Sequence, residues 1–397
     1  MEAHLHSWLS LLLRWAHFIT GVAWIGASFY FNWLENHLER AHKPEGIAGD
    51  LWAVHGGGFY YLKKFAVTPG ELPDTLHWFK WEAYTTWLTG FALLGVVFYW
   101  NAQAYMLDPS VADISARLAI AAGLASLLLS WVFYDRLCRS RIAAHEAWLG
   151  FVVLAWFVLL AWGLSQLLSG RAAFIHVGSA IGTIMVANVF RVIIPAQKDL
   201  VAAVLEHRPP EARKGAEALQ RSRHNNYFTL PVLFIMISSH YPATYGSQYN
   251  WAVLLVISLA GLLIRHYFNV RHLAGRRPWP LAAAALLLAG LVIATAPAPT
   301  VLAPANGPAV STPAAWAIMQ RRCTTCHARE PGNTAFTSAP LGIELDSMDG
   351  LRLNAERVYQ ATVITRTMPL GNLTQMTEAE RHAIANWFEN SSYNSTP

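Results

Sequence analysis

Charge is scarce in this chain. Asp, Glu, Lys and Arg make up 13% of its 397 residues, about half the usual share of a soluble domain. Cysteine is scarcer still: three residues cannot form the disulfide framework of a small secreted module. The opening residues, MEAHLHS, lack the basic segment of a cleavable secretory signal. What is abundant is apolar. Hydrophobic residues reach 54%, with 17 Trp, 18 Phe and 14 Tyr, and mean hydropathy is +0.29. This composition excludes disorder, collagen and coiled coil, and points to a polytopic membrane protein.

Eight apolar segments approach the ~20 residues that a helix needs to cross a hydrocarbon core. They lie near 7–34, 79–101, 116–134, 147–169, 172–194, 226–242, 251–269 and 279–297. The sixth is the least regular, being bracketed by Pro231 and Pro242. From 297 the chain reads PAPTVLAPANGPAVSTP, an extended Pro/Ala linker. The expected fold is therefore all-α: an eight-helix membrane bundle over residues 1–298, a linker over 299–313 and a small soluble domain over 314–397. The odd-numbered connections carry Arg40, Lys63, Arg136, Arg139, Arg213 and Lys214 among others, whereas the even-numbered ones offer Arg117 and Arg171. Positive charge retained inside places the odd connections in the cytoplasm and both termini outside. A basic balance also suits nucleic acid, but here the excess sits between apolar runs, so a lipid bilayer is the expected partner and nucleic acid is not. The eighth segment has Ala-x-Ala-like sites, leaving two readings: an uncut span, or an internal signal that releases the tail.

Residues 323–327 read Cys-Thr-Thr-Cys-His. This C-x-x-C-H spacing sets two thiols one turn apart for thioether bonds to a haem, and leaves His327 as an iron ligand. A structural zinc site would need further thiols, and Cys138 is the one other cysteine. One covalent haem c, held by Cys323, Cys326 and His327, is the expected cofactor. Met368, in Thr-Arg-Thr-Met-Pro-Leu-Gly, is the expected second iron ligand, because a Met-Pro step suits a rigid extended loop. Met348 lies too close to the attachment site, and Met376 precedes a helix cap. Haem of this type is attached outside the bacterial cytoplasmic membrane, in agreement with the charge asymmetry.

Three stretches then carry a resemblance: RWAHFITGVAWIGASFYFNWLE (14–35), WAVHGGGFYYLKKF (52–65) and LHWFKWEAYTTWLTGF (76–91). With APLGIELDS (339–347) and TMPLGNLTQMT (367–377), they resemble the bacterial membrane-bound urate oxidase (urate hydroxylase) family. The resemblance implies an eight-helix domain joined to a class I cytochrome c. It also implies oxidation of urate to 5-hydroxyisourate in purine catabolism, with electrons passed to cytochrome c and onward to a respiratory or soluble acceptor, without hydrogen peroxide. A shorter likeness joins His17, Trp24 and Gly26 to the H-x6-W-x-G pattern of haem-binding helices in small membrane oxidases.

Ionisable groups at membrane depth are costly and mark sites by default. Arg14, His17, Gly21, Trp24 and Ser28 follow a 3–4 spacing and share one face of the first helix. Urate is a planar anion with donor and acceptor edges, so its site calls for Arg or His for charge, Asn or Gln for the edges and an aromatic wall for stacking. Glu82, Asn188, Arg191 and Arg265 fall in the inner half and are the candidate catalytic residues. His17 and His176 fall in the outer half and are candidates for holding a relay haem b. The HGGG at 55–58 has two readings, an anion cradle or a turn in a re-entrant segment. A rival function is a membrane-anchored c-type carrier serving a respiratory partner, and a third is a transporter with a redox-sensing tail.

Overall fold

The computed structural model describes residues 1–42, 45–247, 249–272, 278–296, 309–333, 336 and 338–390. Of the expected linker, residues 299–308 lie outside the described residues. The chain is mostly helical. Its first half runs α1 (Glu2–His37), β1 (Ile47–His55), β2 (Gly58–Phe65), α2 (Trp81–Leu94), α3 (Ala102–Tyr105), α4 (Ala116–Cys138) and α5 (Glu146–Ser165). There follow α6 (Gly170–Asn188), α7 (Ile194–Leu205), α8 (Ala212–Ser238), α9 (Pro242–Tyr245), α10 (Asn250–Val270) and α11 (Trp279–Ala294). The C-terminal unit holds α12 (Thr312–Arg322), α13 (Met348–Leu353), α14 (Ala355–Tyr359) and α15 (Glu378–Asn390).

Among the described residues five helices are long and apolar enough to cross a membrane: His4–His37, Ala116–Cys138, Glu146–Ser165, Gly170–Leu205 and Asn250–Val270. Gly170–Leu205 is α6 and α7 made continuous by a π turn at Val189–Ile193. The other three expected segments are helical but shorter or more polar. α2 extends through a π turn at Gly95–Tyr99, α8 begins in the charged run at Ala212, and α11 has 16 residues. Pro231 lies inside α8 rather than ending it, buried against Gly261 of α10. Serine side chains at 115, 169 and 311 cap α4, α6 and α12 by accepting a backbone N–H of the first turn.

One departure from an all-α chain is the antiparallel hairpin β1–β2. Gly56 and Gly57 have φ of +57° and +82°, the left-handed pair that a two-residue hairpin turn needs and that residues with a Cβ resist. The triple glycine is thus the turn of a hairpin. Trp52 stacks on Tyr61 across the strands, with ring centroids 4.5 Å apart. Tyr61 Oη donates to Asp50, and Lys64 ties the hairpin to Glu35 of α1 at 2.6 Å.

Helix α6 is central. Its most apolar window is 56% buried, against 28% or less for the other four candidate spans. Its small residues let neighbours approach closely, since lipid supplies no hydrophobic drive between helices. Gly178 abuts Ile235 of α8, and Gly123 of α4 abuts the His176 ring. Tyr134, Leu149, Phe174, Ile184 and Ile235 fill the core between α4, α5, α6 and α8.

The C-terminal unit has its own core of Met319, Leu351, Ile384 and Trp387, and it rests on the bundle. The backbone of Gly371 meets the Leu107 carbonyl, and that of Gly246 meets the Thr365 carbonyl. Added Cβ atoms there would lie 2.5 and 2.7 Å from those oxygens. Glu2 accepts from Trp100 Nε1, and His6 bonds the Val96 carbonyl. The start of the chain and the C-terminal unit therefore share one end of the bundle, and the hairpin lies at the other.

The Gly178–Ile235 contact yields a stability prediction. Gly178→Ala should cost about 1–3 kcal/mol through overpacking, read as a lower thermal midpoint in detergent. Ile235→Ala added to it should cost less than the sum of the two single changes, because the new methyl then has room.

Candidate functional site

In the C-terminal unit, α12 ends at Arg322 and a tight turn follows, with His327 N–H donating to Cys323 O at 2.8 Å. This turn sets Cys323, which is buried, beside the half-buried Cys326 and His327. Burial pushes the Cys323 thiol up to about 12. His327 Nδ1 donates to the Ile343 carbonyl at 3.0 Å, which fixes the tautomer and leaves Nε2 as the ligating nitrogen. Trp316 Nε1, about two turns before Cys323 on α12, is buried without a partner among the described residues. Met368 is half-buried in its loop, where Arg381 Nη1 donates to its carbonyl at 2.9 Å and also to Thr362 O. Met376 is packed in the core, and Met348 is 40% exposed at the head of α13. Burial opposes ionisation of Glu380, but the Thr377 N–H and Arg322 outweigh it and hold this carboxyl below its ordinary value. The paired thiols, the pinned imidazole and the orphaned indole N–H fit a haem with a carboxylate edge.

Two polar clusters occupy the hairpin half of the bundle. In the first, Asn188, fully buried on α6, receives Arg221 Nη1 at 3.1 Å and donates to Asn225 at 2.9 Å and Tyr134 Oη at 3.2 Å. Arg221 also pairs with Asp135 at 2.8 Å, and Tyr134 Oη donates to His224 Nδ1 at 2.7 Å. This cluster satisfies its own members and is built as structure.

The second cluster does not. Asn226 Oδ1 accepts from Arg265 Nε at 2.9 Å and from Asn269 Nδ2 at 2.8 Å. The Arg265 guanidinium lies 4.1 Å over the Phe29 ring and has no carboxylate partner among the described residues. Asn226 Nδ2 and Asn269 Oδ1 are buried with no partner there, and so is Glu82 Oε2 on α2. Among the described residues one donor and one acceptor thus lack partners beside a cation that has no carboxylate, and a carboxylate oxygen on α2 lacks one as well. A buried group left so costs about 1–3 kcal/mol, and a bound planar anion with both kinds of edge would satisfy Arg265, Asn226 and Asn269.

The structure therefore separates the sequence candidates. Arg265 stands with orphaned groups, and Glu82 carries an orphan of its own. Asn188 belongs to the satisfied cluster. Arg191 is exposed in the π turn and joins neither. Arg221 and Asn269 were missed, Arg221 because it reads as loop charge. The signal was present: Arg221, His224, Asn225 and Phe228 recur at helical spacing and continue α8 backwards.

The two candidate relay histidines do not share a cavity. His176 is fully buried, its Nδ1 donating to Ala172 O at 2.8 Å and its Nε2 accepting from Tyr99 Oη at 3.2 Å. His17 Nδ1 donates to Thr86 O at 3.0 Å, and its ring lines a cavity of about 510 Å³ between α1, α2, α6 and α8. A second cavity, of about 520 Å³, lies between α5, α8 and α10, with His224, Tyr227 and His266 on its polar side. Both fall in the ~300–1,000 Å³ range of small-molecule and cofactor sites.

A bundle of apolar helices that encloses unsatisfied polar groups and ligand-sized cavities is the architecture of a membrane-helix binding protein or enzyme. The model of the urate oxidase N-terminal family matches residues 3–296, and the chain belongs to that family. No curated protein and no solved structure matches the chain.

Arg221 gives a prediction that tells structure from site. Arg221→Met should cost about 3 kcal/mol, the low end for breaking a buried ion pair, because Arg139 still holds Asp135 at 2.9 Å. Adding Asp135→Leu should recover much of that loss in a thermal denaturation series.

Proposed function

We propose that this protein is a membrane urate oxidase which hydroxylates urate inside its helix bundle and delivers the electrons to a haem c on its C-terminal unit. The observation that carries the reading is the unsatisfied Arg265–Asn226–Asn269 cluster, in a chain whose bundle belongs to a urate oxidase family. Urate and water yield 5-hydroxyisourate, two electrons and two protons. Arg265 neutralises the anion, its guanidinium held flat by Phe29. Asn226 Nδ2 donates to a urate carbonyl oxygen and Asn269 Oδ1 accepts a ring N–H. Glu82, with a free carboxylate oxygen, takes a proton. A haem bound at Cys323, Cys326, His327 and Met368 supplies a one-electron acceptor, so each turnover calls on it twice. A respiratory or soluble cytochrome acceptor re-oxidises the chain between electrons.

In this reading eight helices cross the bacterial cytoplasmic membrane: α1, α2, α4, α5, α6, α8, α10 and α11. The basic connections put the hairpin end in the cytoplasm, where purine breakdown supplies urate, and the C-terminal unit in the periplasm. An even number of spans suits the placement of chain start and C-terminal unit at one end.

Urate added anaerobically to the purified oxidised protein should produce the absorption bands of reduced haem c. Arg265→Gln should raise the KM for urate about tenfold or more, as expected for a charge-assisted hydrogen bond of ~1.5–3 kcal/mol, while leaving haem c intact. Reduction by a quinol but not by urate would replace the oxidase with an electron carrier.

The haem ligands give a separate test. Cys323→Ala with Cys326→Ala should abolish covalent haem. Met368→Ala should keep the haem but lower its potential, since methionine ligation raises it. Unchanged spectra in Met368→Ala would move the ligand elsewhere.

A further inference from the structure

The cavity between α1, α2, α6 and α8 takes no part in urate binding as proposed, yet its chemistry is specific. Its body is apolar, walled by Phe18, Trp24, Phe91 and Phe98, and Gly21 on α1 and Gly182 on α6 leave open space along it. Glycine walls leave room for something flat and wide. Of the two imidazoles that line it, those of His240 and His17, His17 is the one held by α2. Its Nδ1 is committed to the Thr86 carbonyl, with Thr89 Oγ1 at 3.2 Å, and the Gly90 backbone packs on the ring. Nε2 has no hydrogen-bond partner among the described residues. A histidine oriented through Nδ1 by a backbone carbonyl, with Nε2 presented to a cavity, is prepared as a metal ligand.

The mouth of the cavity carries two guanidinium groups, Arg14 on α1 and Arg171 on α6. They repel each other, and no carboxylate pairs with either among the described residues. Arg171 Nε is buried without a partner. Two unneutralised cations at one mouth call for an anion with two charges. Arg14 precedes His17 by three residues, about 4.5 Å along the helix axis.

We infer that this cavity binds a non-covalent iron porphyrin, with His17 Nε2 as an iron ligand and Arg14 and Arg171 on its two carboxylates. The chemistry selects against other occupants of an apolar cavity. A quinone carries no anionic group for the arginines. A phospholipid brings a phosphate but nothing for a pinned imidazole one turn deeper. A porphyrin dicarboxylate satisfies the imidazole, the paired cations and the glycine walls together. Its position also has a use. Arg171 lies over the Tyr105 ring at 5.3 Å, and the neighbouring Leu107 carbonyl meets Gly371 in the loop that carries Met368. The site thus sits between the Arg265 cluster and the C-terminal unit. It rests on cavity geometry and stands whether or not urate is the electron donor.

The test is haem analysis of the full-length protein, purified without urate. Acid–acetone should extract one haem for each haem that stays covalently attached, and pyridine haemochrome spectra should tell the two apart. His17→Ala should lose the extractable haem and keep the covalent one. Gly182→Leu enters the same cavity from α6, where an added Cβ meets nothing within 4 Å, and should also exclude the extractable haem. Arg14→Gln with Arg171→Gln should weaken retention, so that added haemin binds at least tenfold less tightly than to wild type. Retained covalent haem and monodisperse elution show that each variant has folded. Wild-type protein that neither carries extractable haem nor takes up added haemin overturns the proposal. So does extractable haem that persists in both His17→Ala and Gly182→Leu. A quinone or phospholipid recovered stoichiometrically from the wild type, and not displaced by haemin, overturns it as well. Failure of urate to reduce the protein would leave these haem counts unchanged.

Discussion

A guanidinium surrounded by hydrocarbon must be matched, and the order in which this bundle matches its arginines governs the rest of the structure. Arg221 has a carboxylate in Asp135, and around that pair Asn188, Asn225, Tyr134 and His224 close into a network that locks α4, α6 and α8. Arg265 has an amide oxygen and an aromatic face. Arg14 and Arg171 have even less. Desolvation is least compensated where no carboxylate faces the guanidinium.

Helix α1 runs past two of these three places. At 36 residues it is about 54 Å long, well beyond the ~30 Å of a bilayer core. Arg14, His17 and Gly21 address the outer cavity, Trp24 reaches its inner end, and Phe29 carries the Arg265 guanidinium. The cavity and the Arg265 cluster are therefore set in register by the rise of one helix, without loops between them.

Much of this was legible beforehand because hydrophobic period and length are local properties. The apolar runs became helices, and the C-x-x-C-H motif lies in a turn with its imidazole held by a carbonyl. What stayed hidden depends on register and long-range packing. Asn188 and Arg191 are three apart and would share a face of an α-helix. The π turn at Val189–Ile193 adds a residue to that turn and swings Arg191 outward. Arg221 counts as loop charge until α8 is seen to begin at Ala212, and its burial comes from α4, 86 residues away in sequence. The hairpin escaped notice because alternation in GFYYLKKF is weak. Two consecutive glycines with positive φ, rather than a hydrophobic face, define it.

The contact between bundle and C-terminal unit has a consequence of its own. It is made at Gly246 and Gly371, where the main chain of each part faces a carbonyl of the other. Electron carriers that find their partners by charge steering slow down as salt screens the attraction. Here the seat is largely backbone shape, with one charged contact beside it between Asp108 of the bundle and Arg381 of the C-terminal unit. Its lodger is attached by the same chain, so its occupancy does not depend on how much protein the cell makes. Sequence drift in the Pro/Ala linker is then inexpensive, whereas any side chain larger than hydrogen at either glycine would lift one part off the other.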